Sequence, residues 1–367
     1  MSTDGLISFA RGAPSPDITP PKALRECAAR VLERDPVGAL SYGPGSGYGP
    51  LRDWIAELHG VDPERVMVTN GSLEAGMFVF DMLVEPGDIV IVESPSYDRT
   101  LLALTERYAA LLALPLESDG IDVGALETVF AAGVEPEFAH IIPNFHNPAG
   151  CTLSLEKRER LVSLAAEHDF MIFEDDPYAE ISFGGDRLPT MLSLDQTDHI
   201  VYASSFSKTI APGVRVGYLI GPSTVIAALR ERAVNTYISP NMLAQAIVGE
   251  FCTSGAILDS IATVKQALRK RRDALVEALR THIGDDAKFV VPEGGYFLWV
   301  ELPEGVDTEK LLAAAGERGV TFVKGSDFML EGGRNALRLA FSAVTPDQID
   351  EGIKRLAEAL DSIKTPA

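Results

Sequence analysis

One lysine follows a short run of hydroxyl-bearing residues at the end of an apolar segment. The chain reads Ser-Ser-Phe-Ser-Lys from Ser204 to Lys208, and Arg215 comes seven residues later. A neutral lysine amine can form a Schiff base with a carbonyl compound, and neighbouring hydroxyl groups can bind a phosphate. An arginine can bind the same phosphate through two hydrogen bonds. A surface loop with an ordinary lysine is the alternative. This segment therefore indicates a cofactor site only in combination with other motifs.

Acidic residues follow a second apolar run. Phe173 and Glu174 end a predicted strand, and Asp175 and Asp176 come directly after it. A carboxylate that is partly removed from water at a strand end is costly unless it pairs with a cation. A protonated pyridine nitrogen is such a cation, and the pairing keeps the ring an electron sink. Helix capping by one of the two aspartates is the alternative.

Three further segments place polar side chains just after predicted strands. Asn147 precedes Pro148, which keeps Asn147 out of the α region and leaves its amide free to donate to a ring oxygen. Gly71 and Ser72 open a predicted helix whose free N–H groups can bind a phosphate, and Tyr97 can stack on a ring. A plain turn, simple N-capping and a half-buried tyrosine are the respective alternatives. The shared position after strands predicts one common site.

The elements that must position these residues alternate between apolar runs and helical patterns. The helical patterns cover Leu73–Leu83 and Leu155–His168. Alternating strands and helices predict an α/β fold in which a mostly parallel sheet lies between helices, and such sheets bind ligands at the carboxyl ends of their strands. The predicted strands are Val66–Thr69, Ile89–Glu93, Ala139–Ile142, Met171–Glu174 and Ile200–Ala203.

The chain changes character from about Met242. A charged helical stretch runs through Lys265 to Leu279, and a last helix is predicted from Pro346 to about Leu360. Together with the strands between these helices, the pattern predicts a smaller α+β domain, so we expect a large domain over residues 45–245 and a small domain over 1–44 and 246–367. The predicted strands here are Phe289–Val291, Phe297–Glu301, Val320–Val323 and Leu337–Phe341.

Composition narrows the class of protein. The net charge of −21 over 367 residues disfavours binding to nucleic acid or to anionic membranes, because both need a basic face. Cys27, Cys151 and Cys252 show neither zinc spacing nor a disulfide framework, and no metal site is expected. The N-terminus lacks the pattern of a signal peptide, and no apolar run reaches the roughly 18 residues of a membrane helix. We therefore expect a cytoplasmic protein.

In combination, these motifs resemble those of pyridoxal-5′-phosphate (PLP) enzymes of fold type I, specifically the class I and II aminotransferases. The resemblance covers nearly the whole chain and rests on Asn-Pro-Ala-Gly, Asp-Asp-Pro-Tyr, Ser-Phe-Ser-Lys with a downstream arginine, and Leu337-Arg338-Leu339. The segments Ile7–Ala10 and Gly47–Arg52 are most similar to the branch of 2-aminoadipate, aromatic and kynurenine-type aminotransferases.

The resemblance implies a role for each matching residue. Lys208 forms the internal aldimine and moves the proton, Asp175 pairs with the pyridine nitrogen, and Arg338 binds the substrate α-carboxylate. Arg11 and Gly12 lie at the substrate site. Relatives often have glycine at the position of Arg11. Arg11 either recognises an acidic or polar substrate side chain or only pairs with a surface acid. The other cofactor-binding residues implied are Gly71, Ser72, Leu73, Tyr97, Asn147 (which also contacts substrate), Tyr178, Ser205, Ser207, Arg215 and Tyr42, the last from the partner subunit.

The function implied is transfer of an amino group between an L-amino acid and a 2-keto acid, by a homodimer with shared active sites. Two alternatives use the same scaffold. One is another PLP reaction, as in a β-elimination lyase, a synthase or an oxidase-type enzyme, because a fold does not fix its chemistry. The other is the non-enzymatic effector domain of a transcription regulator, which the acidic charge disfavours.

Overall fold

The computed structural model describes residues 5–185 and 187–364, and the apolar runs of the sequence form its strands. The strands, in chain order, are β1 (Ile7–Ser8), β2 (Val66–Thr69), β3 (Ile89–Ser94), β4 (Ala110–Glu117), β5 (Gly120–Ile121), β6 (Phe138–Ile141), β7 (Met171–Asp175), β8 (Ile200–Ser205), β9 (Gly217–Ile220), β10 (Phe297–Glu301), β11 (Val320–Thr321), β12 (Val323–Lys324) and β13 (Ala336–Ala340).

The amphipathic segments form the helices. These are α1 (Pro21–Arg34), α2 (Pro36–Leu40), α3 (Gly49–His59), α4 (Ser72–Leu83), α5 (Asp98–Glu106), α6 (Val123–Ala131), α7 (Leu155–His168), α8 (Met191–Leu194), α9 (Ser223–Tyr237), α10 (Met242–Thr253), α11 (Ala256–His282), α12 (Thr308–Glu317) and α13 (Pro346–Lys364). Short 3₁₀ turns cover Pro16–Ile18, Pro63–Arg65, Pro212–Val214, Gly284–Asp286 and Gly325–Phe328.

A large sheet is the centre of the fold, with strand order β2-β9-β8-β7-β6-β3-β4-β5. The run from β8 through β7, β6 and β3 to β4 is parallel. Alternate residues of one strand enter different hydrophobic clusters: Ile91 packs in one, and Val90 and Val92 in another. Because side chains alternate across a strand, helices cover both faces of the sheet, and the predicted α/β fold is confirmed.

Strands β1, β4, β5 and β9 are absent from the sequence prediction. Strand β9 pairs antiparallel with both β8 and β2, and Gly217 at its start lies opposite Ser205 and Thr69. Strand β9 has only four residues and follows the Lys208 loop closely, so its sequence shows little periodicity that would predict a strand. Its position brings Arg215 to the point where β2 and β8 end.

A second, smaller group of strands packs against the long helices of the C-terminal part. Strands β10, β13 and β12 form an antiparallel sheet, and β1 pairs with β11. The predicted strand over Phe289–Val291 is wrong: only Lys288 bridges to Glu301, Val290 is 60% exposed, and Pro292 has no N–H to donate. The predicted strand Val320–Val323 breaks at Phe322 into two pieces that pair with different partners.

Helix α11 passes from one core to the other. Ile257 near its start packs in the cluster under the large sheet, whereas Val264 and Leu268 belong to the cluster of the C-terminal part. Within residues 5–185 and 187–364, no single helix is long and apolar enough to cross a membrane. Helices α10 and α11 are long and apolar enough only when they are counted together, and the chain bends by 86° between them.

The division into domains at residues 44 and 245 stays a prediction. Ile7 and Phe9 pack in the cluster of the C-terminal part, in keeping with it. Cys27 and Val31 of α1 pack instead in the cluster under the large sheet, where α1 contacts α10. Core packing therefore favours counting α1 and α2 with the large domain.

We expect Arg158→Met to lower the free energy of unfolding by about 3 kcal/mol, because the buried Arg158 donates to the carbonyls of Leu153, Pro143 and Pro189, which would lose their partner. Arg160→Ala on the same helix is the matched control. Its surface ion pairs with glutamates make a change of only about 0.5 kcal/mol reasonable. Urea unfolding of both variants measures the difference, and equal midpoints would contradict the expectation.

Candidate active site

The carboxyl ends of β2, β3, β6, β7 and β8 open on one cavity. Parallel strands end at the same edge of a sheet, so the polar residues that follow them converge there. Ten of the predicted cofactor-binding residues line this cavity, and Ile142, Pro177 and Pro212 complete it. The lining is Ser72, Leu73, Tyr97, Ile142, Asn147, Asp175, Pro177, Tyr178, Ser205, Ser207, Lys208, Pro212 and Arg215.

Asp175 is the last residue of β7 and brings a carboxylate into the cavity. Its Oδ1 atom is buried and has no hydrogen-bond partner. Its Oδ2 atom lies 3.6 Å from Nε2 of His140, which also contacts the Thr100 hydroxyl at 3.1 Å. An unpartnered carboxylate oxygen at this depth fits a ligand with a positively charged N–H group, such as a protonated pyridine. The sequence prediction missed His140, although a histidine within an apolar strand is a signal for it.

Lys208 lies on the loop after β8 and points its amine into the same cavity. Its Nζ donates to the carbonyl of Gly12 and lies 5.5 Å and 5.1 Å from the ring centroids of Tyr178 and Tyr296. Burial first, and then the positive charge of Arg338, lower the pKa of Lys208 to about 8. The hydroxyl of Tyr296 donates to the backbone carbonyl of Lys208 at 2.7 Å and so fixes the loop.

Sequence reasoning missed Tyr296. It follows two adjacent glycines just before a strand, which was the available signal.

The start of α4 and the side chain of Arg215 form a cradle for an anion. No side chain caps the first turn of α4, so its N–H groups are free to bind a ligand. Arg215 donates to the carbonyl of Asn70 at 3.0 Å, which turns its guanidinium toward Gly71. Gly71 has a φ of +94°, which favours glycine, and its missing Cβ leaves room for Nη2 of Arg215. With the hydroxyl of Ser72, the cradle fits a phosphate group.

Arg338 lies on β13, behind Asn147. Its guanidinium is between the rings of Phe297 and Phe328, whose centroids are 4.3 Å and 4.7 Å away. It donates to Oδ1 of Asn147 at 2.9 Å and to the carbonyl of Ala10 at 2.7 Å, while its buried Nε has no partner. Burial lowers the pKa of Arg338. A carboxylate would satisfy the free N–H and compensate the buried charge.

Besides Gly71 and Arg338, three predicted residues lie outside the cavity lining. Tyr42 is 85% exposed on the surface of the subunit. Arg11 is exposed, and its side chain forms no hydrogen bond or ion pair with the rest of the described chain, although the hydroxyl of Ser342 donates to its carbonyl. Gly12 packs directly on the ring edge of Phe297, where a Cβ would clash. Arg11 therefore stands between two residues whose carbonyls accept from Arg338 and Lys208.

The residues present fit PLP. The unpartnered Asp175 oxygen suits its ring nitrogen, the amine of Lys208 suits its aldehyde, and the cradle at α4 suits its phosphate. In the part of the chain that the structure describes, no group of three or more His, Cys, Asp or Glu side chains could hold a metal ion.

Comparison with known proteins agrees with this geometry. The family model "Aminotransferase class I and II" matches residues 5–356. Aromatic-amino-acid aminotransferase 1 of Thermococcus litoralis is 34% identical over 98% of this chain and 89% of its own length. The 2-aminoadipate transaminase of Thermus thermophilus is 34% identical over 98% of this chain and 91% of its own length.

A solved structure extends the similarity to the fold. The crystal structure of Pyrococcus horikoshii kynurenine aminotransferase, in complex with PMP, has a TM-score of 0.94 to this chain. It is 33% identical in sequence, with coverage of 99% of this chain and 93% of that one. The chain therefore belongs to the class I and II aminotransferases and is a transaminase of fold type I with PLP as its cofactor.

Proposed function

We propose that Lys208, Asp175 and Arg338 carry out transamination between an L-amino acid and a 2-keto acid in this cavity. The observation that carries the proposal is that the Lys208 amine, on the loop after β8, and the unpartnered Asp175 carboxylate, at the end of the adjacent strand β7, line one cavity. Bound PLP supplies an electron sink for the electrons of the substrate Cα–H bond. Each residue then has a task that its surroundings support.

Asp175 holds the proton on the cofactor's ring nitrogen, because its buried Oδ1 has no other donor. The amide of Asn147 and the hydroxyl of Tyr178 donate to the phenolic oxygen, and Tyr97 stacks on the ring; all three side chains line the cavity. The phosphate is held by the cradle of Gly71, Ser72, Leu73, Ser205, Ser207 and Arg215.

Lys208 moves the proton at the substrate α-carbon. A base for this step must be neutral near the working pH, and burial together with Arg338 lowers the pKa of Lys208 to about 8. The hydrogen bond from Tyr296 to its carbonyl anchors the backbone while the amine moves. The lysine thus serves first as the attachment point of the cofactor and afterwards as the base.

Arg338 binds the α-carboxylate that every amino-acid substrate shares. The two phenylalanine rings hold the planar guanidinium in place and shield it from water, which strengthens a bidentate contact. Arg11, which has no acidic partner in the described chain, reads the rest of the substrate at the mouth of the site. We therefore propose a preference for substrates with an acidic or polar side chain.

The active unit is a homodimer in the cytoplasm. Val37, Leu40 and Tyr42 form an exposed apolar surface on α2 and the loop after it, and a two-fold interface would bury it. Tyr42 then reaches the phosphate bound by the partner subunit, in keeping with its absence from the cavity of its own subunit. The acidic surface and the three free cysteines suit a reducing cytoplasm.

The rate at which PLP attaches to the apoenzyme should rise with pH, with a midpoint near 8, and level off above it. Burial disfavours the charged ammonium, so the reactive neutral amine of Lys208 predominates above that pH. Arg338→Met should move the midpoint upward, because it removes a like charge. Stopped-flow absorbance measures the rate. A midpoint near the ordinary lysine value of 10.5 would contradict the burial argument.

Arg338→Ala should lower kcat/KM for every amino acid by a factor that corresponds to about 2–4 kcal/mol, since it removes a bidentate contact to a shared group. Arg11→Ala should harm an acidic substrate much more than an apolar one. Kinetics with glutamate and leucine, each with a 2-keto acid acceptor, test both. Equal losses for Arg11→Ala would remove its selective role, and a harmless Arg338→Ala would overturn the carboxylate assignment.

Subunits with Tyr42→Phe, mixed with subunits that carry Lys208→Ala, should form heterodimers with about half of the wild-type activity. One of the two sites in such a heterodimer combines an intact Lys208 with the partner's intact Tyr42. Purification through two different tags isolates the heterodimer, and each mutant homodimer serves as a control. Heterodimers no more active than these controls would exclude shared sites.

A further inference from the structure

Two buried ionisable residues that the cofactor site does not use form a pair under the Asn147 turn. Glu93 stands near the end of β3 and His146 on the loop after β6, and both are almost wholly buried. Nε2 of His146 lies 3.0 Å from Oε2 of Glu93. The same carboxylate oxygen accepts from the backbone N–H of Ile142 at 2.9 Å. The pair therefore ties the end of β3 to the backbone that leaves β6.

The second ring nitrogen of His146 fixes its protonation. The backbone N–H of Ala149 donates to Nδ1 at 3.2 Å, so Nδ1 must be an acceptor without a proton. The proton is then on Nε2, where it is donated to Glu93. His146 is thus a neutral bridge between an anchored carboxylate and the peptide N–H two residues beyond Asn147.

The turn between these two contacts is closed by its own backbone. His146 N–H donates to the carbonyl of Cys151 at 2.8 Å, and Gly150 N–H donates to the carbonyl of His146 at 2.7 Å. Asn147 stands on this turn, and its Oδ1 accepts from Arg338 at 2.9 Å. Because Oδ1 faces the arginine, the amide NH₂ remains for the cavity that Asn147 lines.

We propose that Glu93 and His146 are positioning residues that orient Asn147 toward Arg338 and toward the phenolic oxygen of the cofactor. The proposal rests on the role proposed above for Asn147. A donor displaced by about 1 Å loses much of its effect on a reacting group, so a buried anchor under the turn has a direct consequence for function. The pair touches neither substrate nor cofactor and acts only through Asn147.

A double-mutant cycle tests this route. The variants are His146→Leu, Asn147→Ala and the double variant, with His146→Gln as the matched control, since a glutamine amide keeps one donor and one acceptor. The readouts are the Kd for PLP and the pH midpoint of the visible band of the PLP-loaded protein. An N–H donor stabilises the deprotonated phenolic oxygen, so its loss raises the midpoint.

We expect His146→Leu and Asn147→Ala each to weaken PLP binding on the order of tenfold and to raise the midpoint. The double variant should match Asn147→Ala alone, because His146 acts through that side chain. His146→Gln should stay near the wild type. Additive losses, or a His146→Leu variant with wild-type readouts, would overturn the positioning role.

The outcomes also separate this proposal from the one beneath it. A silent Asn147→Ala variant would overturn the role of Asn147 and the positioning role with it, whereas an effect confined to Asn147→Ala would overturn the positioning role alone. Should His146→Leu fail to fold, ¹⁵N NMR of histidine-labelled wild-type holoenzyme decides. A neutral His146 with a solvent-protected proton on Nε2 supports the bridge, and any other protonation state overturns it.

Discussion

The carboxylate of Asp175 is the constraint around which this structure is organised. Its Oδ1 atom is buried without a hydrogen-bond partner and its Oδ2 atom lies 3.6 Å from His140, so its charge is costly without a cationic ligand. Because β7 lies between β6 and β8, the loops after those neighbours bring Asn147 and Lys208 to its two sides. A ring that pairs its nitrogen with Asp175 therefore meets an amide donor on one edge and an amine on the other.

The cations of the site impose a second constraint. Lys208 and Arg338 are close enough for the charge of Arg338 to lower the pKa of Lys208, and burial acts in the same direction. Each donates to a carbonyl of the same N-terminal segment, Lys208 to Gly12 and Arg338 to Ala10. That segment reaches the site through β1 and through the Phe9 carbonyl, which accepts from Ala340. Residues 7–12 thus shape a site whose chemistry lies on distant loops.

The roles proposed for Tyr42 and Arg11 need a contact that one subunit alone does not provide. Tyr42 is exposed, as are Val37 and Leu40, so the role proposed for it requires a second copy of the chain. The side chain of Arg11 forms no hydrogen bond or ion pair within the described chain, so the role proposed for it requires a substrate. Relatives named for aromatic amino acids and for 2-aminoadipate share this scaffold. Because relatives named for different amino acids share it, the fold alone does not determine which substrate side chain is accepted.

Local order along the chain determined the fold class and most of the lining of the proposed cofactor cavity. Each polar motif follows an apolar strand, and parallel strands end at one edge, so the convergence of Lys208, Asp175 and Asn147 was predictable without coordinates. Tertiary structure alone decided the contacts that join distant segments. Arg338 meets Asn147 across 191 residues, and Tyr296 meets Lys208 across 88. Periodicity reports which way a side chain faces, whereas these pairs depend on how two sheets pack.

The errors in the predicted strands have the same origin. Phe289–Val291 is apolar enough for a strand, but the pairing with β10 stops at the single bridge between Lys288 and Glu301. Strand β9 is short and was not predicted, yet it forms because β2 and β8 offer it partners on both sides. The tie between Glu93 and His146 likewise needs β3 and β6 side by side. Sequence determined which segments carry the chemistry, and packing decided which side chains hold them in place, because a hydrogen bond needs both partners within about 3 Å.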